Sequence, residues 1–451
     1  MLTSTRGPAE PLLRMAGGTL SVPLVGGGQA RAVNLDLAAS APPLQAVADH
    51  VAEVSPYLSS VHRGAGWGSE VCTAAYERGR AVAAQFVGAR ASDTVVFVRN
   101  TTDALNLLAG IVPGETLTLD LEHHANLLPW LRHGSAVVRA GSTIESTLAA
   151  LDAELASRPI ALLSVTGASN VTGELLPLRR LAKLAHTHGA RLAVDGAQLV
   201  PHRRVDMAET GIDYLAFSGH KIYAPYGTGV LVGRTDWLDA GEPYLAGGGA
   251  VQRVRLDDAE PAVATVTWRT GPSRHEAGTP NVIGVVALTR ALEELAALDT
   301  ETWVEHERTL RERLATGLAR IDGVVVPTLF EDATDAVGVV PFGVTGLDAR
   351  LVALALSAEW GVAVRDGAFC AHPLVDRIAG GLPLLRASIG AGTTAEDVDT
   401  LLAALAAIIE HGPTAQYGED ATGWHLLNDD RPRPAWARDA PTGAGGCGFA
   451  L

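Results

Sequence analysis

Between about residues 80 and 235 the chain alternates short runs that are apolar on both faces with segments whose apolar residues recur at helical spacing. The runs are "TVVFV" (94–98), "TLTLD" (116–120), "IALLSV" (160–165), "RLAVD" (191–195), "DYLAFS" (213–218) and "GVLVG" (229–233). Strands apolar on both faces and separated by helices predict an α/β fold: a mostly parallel sheet covered by helices on both sides. Ligands of such sheets bind at the carboxyl ends of the strands, where the polar residues of this stretch cluster. A helix-rich stretch near 283–321 then leads into a second α/β region, from "VVVPTLF" (324–330) to "RASIG" (386–390). The helical pattern "AEDVDTLLAALAAIIEHG" closes it. The expected organisation is an N-terminal segment (1–30), a large domain (31–285), a smaller C-terminal α/β domain (286–413) and a Gly/Pro-rich tail (414–451), mobile or wrapped on the surface. No internal repeat is present.

Composition narrows the function classes. With 47% hydrophobic and 19% charged residues, the chain is that of a compact soluble protein, not a disordered or fibrous one. A net charge of −15 without a basic run argues against a nucleic-acid partner. Three cysteines, Cys72, Cys370 and Cys447, form neither a CxxC pair nor an even framework, which disfavours structural zinc and disulfides and fits a reducing cytoplasm. The N-terminus lacks the basic start and apolar core of a signal peptide, and no run of about 18 apolar residues suits a membrane. A small molecule or a protein is the expected partner.

The candidate chemistry lies at two adjacent strand ends. "RLAVDGAQ" delivers Asp195 and Gln198, and the next strand delivers Ser218, His220 and Lys221. A lysine among apolar neighbours loses the stabilisation of its ammonium form, which frees the amine as a nucleophile able to form an imine. A carboxylate at the neighbouring strand end is what a pyridine ring needs to keep its nitrogen protonated and act as an electron sink. In "FVRNTTDALNLLAG", Thr101 and Thr102 open a helix whose N–H groups can hold a phosphate. Taken singly, Lys221 reads equally as a surface or capping lysine, and Asp195 and "NTTDA" as ordinary helix caps. Their order on successive strand ends of one sheet favours the functional reading.

Over roughly residues 30–410 the chain resembles fold-type I pyridoxal-phosphate enzymes of the class V aminotransferase group, in particular the SufS-like cysteine desulfurases and selenocysteine lyases. The motifs are "LDLAASAPP" (35–43), "VHRG" (61–64), "RNTTDALNL" (99–107), "EHHANLLPW" (122–130), "SNVTGE" (169–174), "AVDGAQ" (193–198), "FSGHKIYAPYGTG" (217–229), "HEAGTPN" (275–281), "FCAHPL" (369–374) and "RASIG" (386–390). The resemblance implies a mostly parallel sheet of the seven-stranded type, pyridoxal 5'-phosphate as cofactor, Lys221 as the lysine bonded to it and Asp195 as partner of the pyridine nitrogen. It makes His123 the residue stacked on the ring, with a part in moving protons. Asn170 and Gln198 become contacts of the phenolic oxygen, and Thr101, Thr102, Ser218 and His220 the phosphate cup. Thr279 matches a threonine that reaches the cofactor of a neighbouring subunit, implying a homodimer with composite sites. Arg386 matches the arginine that clamps the substrate carboxylate, a role suited to the bidentate guanidinium. Without the resemblance, His123 reads as a core histidine and Arg386 as a strand-edge ion-pair residue; His124 and His372 remain neighbours without an assigned role.

Cys370 discriminates among reactions. A lone cysteine is most often a small buried hydrophobe. In the desulfurases the cysteine of this motif takes the substrate sulfur as a persulfide, with Arg365 nearby to help stabilise the thiolate. Two features depart from the family. Its "HRGxH" reads "HRGAGWG" here, placing Gly66 and Trp67 where a histidine is expected near the substrate, and Phe369 replaces a polar residue before the cysteine, a poorer setting for a thiolate. Segments 250–274 and 414–451 look like additions that cover the site or meet a partner. The leading expectation is a desulfurase or related carbon–sulfur lyase acting on a cysteine-like amino acid, with a possible sulfur-acceptor protein. A class V aminotransferase or amino-acid epimerase, and a pyridoxal-phosphate-fold protein that mainly binds a partner, are the alternatives.

Overall fold

Every one of the six apolar runs forms a strand, because each buries side chains on both faces and so needs a layer of helices above and below. The computed structural model describes residues 10–421 and 423–437. Its seven-stranded sheet runs, edge to edge, Asp93–Val98, Gly229–Arg234, Tyr214–Ser218, Arg191–Asp195, Leu162–Thr166, Thr116–Leu119 and Ala136–Val138. Only Gly229–Arg234 is antiparallel to its neighbours. The parallel strands therefore all end on one side, where Asp195 and Ser218 lie.

One face of the sheet packs into a large apolar core with the helices Trp67–Phe86, Leu178–Thr187 and Val282–Ala296; the other is covered by Thr101–Ala109 and Trp130. The helix-rich stretch is two helices, since the Asp299 side chain accepts the Thr302 N–H and starts Thr300–Ala319 anew. Val282–Ala296 spans the boundary expected at 285/286 and packs against the large core.

A second, antiparallel sheet runs Val324–Val325, Val339–Val344, Leu384–Ser388, Arg365–Asp366, over a core shared with the helices Thr300–Ala319, Ala349–Trp360 and Ala395–His411. Of "VVVPTLF" only the first two residues are strand; Pro327 lacks the N–H a ladder requires. Val33–Asn34 pairs in parallel with Val362–Ala363 and so carries the motif beginning at Leu35 to this second sheet.

The segment after 413 folds back. Tyr417–Asp420 and Gly423–Leu426 form a hairpin against Ala349–Trp360, and Glu359 accepts bonds from the N–H groups of Thr414 and Ala415 and the hydroxyls of Thr414 and Tyr417. Residues 438–451, including Cys447, lie outside the described residues. The hairpin Val251–Leu256/Ala264–Trp268 stands out from the surface with Val254, Leu256 and Val263 exposed. Among the described residues no helix is long and apolar enough to cross a membrane.

Candidate active site

The strand Tyr214–Ser218 runs into a single helical turn, Gly219–Lys221, which turns Lys221 into a cavity of about 260 Å³. The turn needs a glycine: a Cβ at Gly219 would sit 2.7 Å from the Thr228 carbonyl oxygen. Twelve of the thirteen residues singled out in the sequence line this one cavity: Thr101, Thr102, His123, Asn170, Asp195, Gln198, Ser218, His220, Lys221, Arg365, Cys370 and Arg386. Desolvation lowers the Lys221 ammonium to about 8; Asp195 opposes that fall and Arg386 adds to it. The amine is thus available as a nucleophile near neutral pH.

Asp195 ends its strand buried, and its carboxylate accepts the Ala197 N–H at 2.9 Å. Burial pushes its carboxyl above the usual range, against the pull of that bond and of Lys221. At one end of the cavity Asn100 caps the helix Thr101–Ala109 by accepting the Asp103 N–H at 2.9 Å. Ser218 Oγ accepts the Thr101 N–H at 2.7 Å and pairs with Thr101 Oγ1 at 2.6 Å, which joins the two strand ends into one polar cup. The sheet allows this approach because position 229 is glycine; a Cβ there would sit 2.5 Å from the backbone of Asn100. His220, at the rim, is lowered to about 4 by burial and then by Lys221, so it is neutral at physiological pH.

His123 follows the strand Thr116–Leu119 and accepts the Ala125 N–H on Nδ1 at 3.0 Å. A main-chain N–H can only donate, so the ring's proton resides on Nε2. Burial, then the charge of Lys221, lowers His123 to about 3 and keeps it neutral. Beneath this loop lies Glu122, to which the sequence attaches no role. Its wholly buried carboxyl accepts Asn126 Nδ2 at 2.7 Å and the Thr166 N–H at 2.9 Å, and burial raises it well above the carboxylate range. Asn126 in turn accepts from Trp130 Nε1 and Ser164 Oγ, so the turn carrying His123 is fixed from below.

The opposite wall comes from the second sheet. Arg386 is 3% exposed; its Nη1 donates to the Asn170 carbonyl at 2.8 Å, and the Phe369 ring lies 5.1 Å from its guanidinium carbon. Phe369 is thus buried with its ring facing an arginine, while the adjacent Cys370 is exposed. Both residues have positive φ, 51° and 56°, strained for side-chain-bearing residues. Asn170 Nδ2 holds the loop by donating to the Phe369 carbonyl at 2.8 Å, and the His124 N–H by donating to that of Cys370 at 2.8 Å. Gln198 Nε2 donates to the Ala38 carbonyl at 2.7 Å. Gln198 Oε1 and Arg386 Nε are buried with no partner.

Thr279 is the residue not brought here. It lines a separate cavity with Gly227, Tyr244 and Glu276. Gly66 and Trp67 are likewise not among the residues that line the Lys221 cavity of their own chain. Gly66 precedes the helix Trp67–Phe86, and Trp67, its first residue, points outward at 67% exposure with Tyr57 edge-on to it. The 251–268 hairpin lines no part of the Lys221 cavity. Residues the sequence argument left without a role are Asn100, Ala38, Ala39 and Thr166, all lining the cavity, and Asp36, which pairs with both arginines.

A two-sheet α/β chain with a desolvated lysine facing a buried aspartate at adjacent strand ends defines a class, and the comparisons agree with it. The chain belongs to the aminotransferase class-V family, whose profile matches residues 33–401; members use pyridoxal phosphate. It is 37% identical over 389 residues to the cysteine desulfurase of Dickeya dadantii, covering 82% of this chain and 90% of that one. With a probable cysteine desulfurase of Mycolicibacterium paratuberculosis it shares 35% identity over 78% of its own length, but it spans only about half, 52%, of that longer relative. The solved apo structure of a cysteine desulfurase from Thermococcus onnurineus NA1 superposes with a TM-score of 0.76 at 30% identity, over 84% of this chain and 95% of the other.

Proposed function

We propose that this protein is a pyridoxal-phosphate-dependent cysteine desulfurase. The observation that carries the proposal is the convergence of Lys221, Arg386 and Cys370 on one cavity. The residues present fit the cofactor. The N–H groups at the start of Thr101–Ala109, with Thr101, Thr102, Ser218 and His220, suit its phosphate; Asp195 suits its ring nitrogen; Asn170 and Gln198 its phenolic oxygen; His123 its ring face; and Lys221 its aldehyde carbon.

When bound, the cofactor supplies an electron sink that stabilises negative charge at the substrate α-carbon. Arg386 binds the α-carboxylate through two parallel N–H donors and orients the amino acid. Lys221, with a pKa of about 8, takes and returns a proton at that carbon. His123, neutral and lining the same cavity, has its Nε2–H available as a hydrogen-bond donor. The Cys370 thiolate attacks the substrate sulfur: an S–S bond forms, the Cβ–S bond breaks with its electron pair passing to carbon, and two protonations release alanine. Cysteine and the Cys370 thiol thus become alanine and a persulfide, with atoms and electrons balanced.

Cys370 also lines an outer groove with His124, Leu128, Leu131 and Arg132. A persulfide there can be collected by an acceptor protein without opening the cofactor site, in a reducing cytoplasm where thiols persist. Thr279, turned away from its own Lys221, serves the phosphate of a second copy, which makes the working unit a homodimer. Incubating the purified yellow protein with a panel of amino acids and identifying products by mass spectrometry tests the function: alanine with sulfane sulfur from cysteine supports it. An oxo acid with a pyridoxamine form of the cofactor selects transamination instead.

A further inference from the structure

Cys370 opens onto the outer groove as well as onto the cofactor cavity, and a pair of histidine rings stands beside it there. His124 lines the groove, and its ring lies 4.7 Å, centroid to centroid, from that of His372, the first residue of the helix His372–Ala379. The bond from the His124 N–H to the Cys370 carbonyl at 2.8 Å keeps ring and thiol in one place. Formation of the persulfide uses neither ring.

Handing the sulfur on does call for a base. An acceptor thiol attacks as its thiolate, and an ordinary alkyl thiol, with a pKa of about 8.5, is mostly protonated at neutral pH. The other titratable or charged groups lining the groove are His123, Arg132 and Cys370. His123 cannot take the proton, since its Nδ1 lone pair already accepts the Ala125 N–H and its Nε2 carries the ring hydrogen. A guanidinium offers no acceptor, and Cys370 is itself the sulfur carrier. His124 is half-buried; burial, then the adjacent His372, lowers it below the ordinary histidine value, so at neutral pH the ring is uncharged and keeps one acceptor nitrogen.

We propose that His124 is the general base of sulfur hand-off from Cys370 to a thiol acceptor. The inference rests on the proposed function for the origin of the persulfide and deepens it to the second half of the reaction. His124 takes the proton of the acceptor thiol as that sulfur bonds to the outer sulfur of the persulfide. The bond between the outer sulfur and Cys370 Sγ breaks with its electron pair passing to Sγ, and the proton held on His124 returns to the thiolate so formed. A thiol and the Cys370 persulfide become an acceptor persulfide and the Cys370 thiol, with no oxidant or reductant consumed.

The test installs the persulfide on Cys370 of the holoenzyme without turnover, by forming the mixed disulfide with thionitrobenzoate and displacing that group with sulfide. Its decay is read by alkylation and mass spectrometry of the Cys370 peptide. At pH ~7, where 2-mercaptoethanol is mostly protonated, that thiol should discharge the persulfide of His124→Gln at least about tenfold more slowly than that of the wild type. Thiophenol, already ionised, has no proton to give up and should discharge both alike. Equal rates with 2-mercaptoethanol, or the same slowing with both thiols, overturns the proposal and leaves His124 a wall of the groove. Should His124→Gln not fold, His124→Asn with the same two thiols reads the same difference. Failure of Cys370 to gain sulfur from cysteine would overturn the desulfurase reading instead, whereas the installed persulfide reports on His124 in either case.

Discussion

The main-chain N–H of His124 donates to the carbonyl of Cys370 at 2.8 Å, so the loop of the exposed cysteine is tied to the turn that carries His123. With the bond from Asn170 to Phe369, it holds two adjacent residues in the left-handed region, at a cost on the order of 1–3 kcal/mol each. The strain fixes where the sulfur nucleophile stands relative to Lys221. Replacing Asn170 by Ala should release it. Sulfur transfer should fall at least tenfold, as a displaced reacting group does, while cofactor absorbance at saturation persists. Parallel loss of both would show that Asn170 acts through the cofactor alone.

Lys221 gives a prediction in pH. Its amine is half deprotonated at about 8, where an ordinary lysine, with a pKa of about 10.4, is almost wholly protonated. The rate at which apoprotein takes up pyridoxal phosphate should therefore rise with pH and level off above about 8; a rise continuing toward pH ~10 would contradict the desolvated site. Borohydride reduction and peptide mapping should place the pyridoxyl group on Lys221, and Lys221→Ala should abolish turnover.

The six strands were legible because each is apolar on both faces, a pattern that few other elements produce. Ala136–Val138 was not, since it is a half-exposed edge strand of three residues. Most of the site was legible too, because Asp195, Ser218 and Lys221 follow strands recognisable in themselves. Asp36 was quoted within a motif yet given no role: its partners Arg365 and Arg386 lie 329 and 350 residues away, and no local spacing reveals a charge balance built across that distance. The contact of the Phe369 ring with Arg386 was illegible for the same reason.

Thr279 and the exposed hairpin bearing Val254, Leu256 and Val263 give a prediction about assembly. Sedimentation at assay concentration should find a dimer, and Thr279→Ala should weaken cofactor retention without changing the fold. A fully active monomer would remove the case for a site completed by a second copy.

Glu359 anchors the segment after 413. Burial raises its carboxyl, but the bonds from Thr414, Ala415 and Tyr417 outweigh this and lower it overall. A carboxylate lowered by folding contributes stability above its unfolded pKa, and that contribution is lost as pH falls through the folded value. Glu359→Ala should thus lower stability modestly at neutral pH, where the bonds are intact but partly screened by solvent, and expose the chain near 414 to proteolysis. Turnover should be unchanged, because the hairpin lines no part of the cavity. A large loss of activity in the folded variant would give the tail a catalytic part.

The central claim is that Cys370 takes sulfur from the substrate. Cys72 is buried, with its thiol donating to the Tyr57 carbonyl, and stands apart from the cavity. Brief exposure of the holoenzyme to cysteine, trapping with an alkylating reagent and peptide mass spectrometry should find one added sulfur on Cys370 and none on Cys72. Cys370→Ala should keep the cofactor spectrum while desulfuration falls by orders of magnitude. No added sulfur on Cys370, together with undiminished sulfur release by Cys370→Ala, would contradict the account and make direct elimination from Cβ the mechanism.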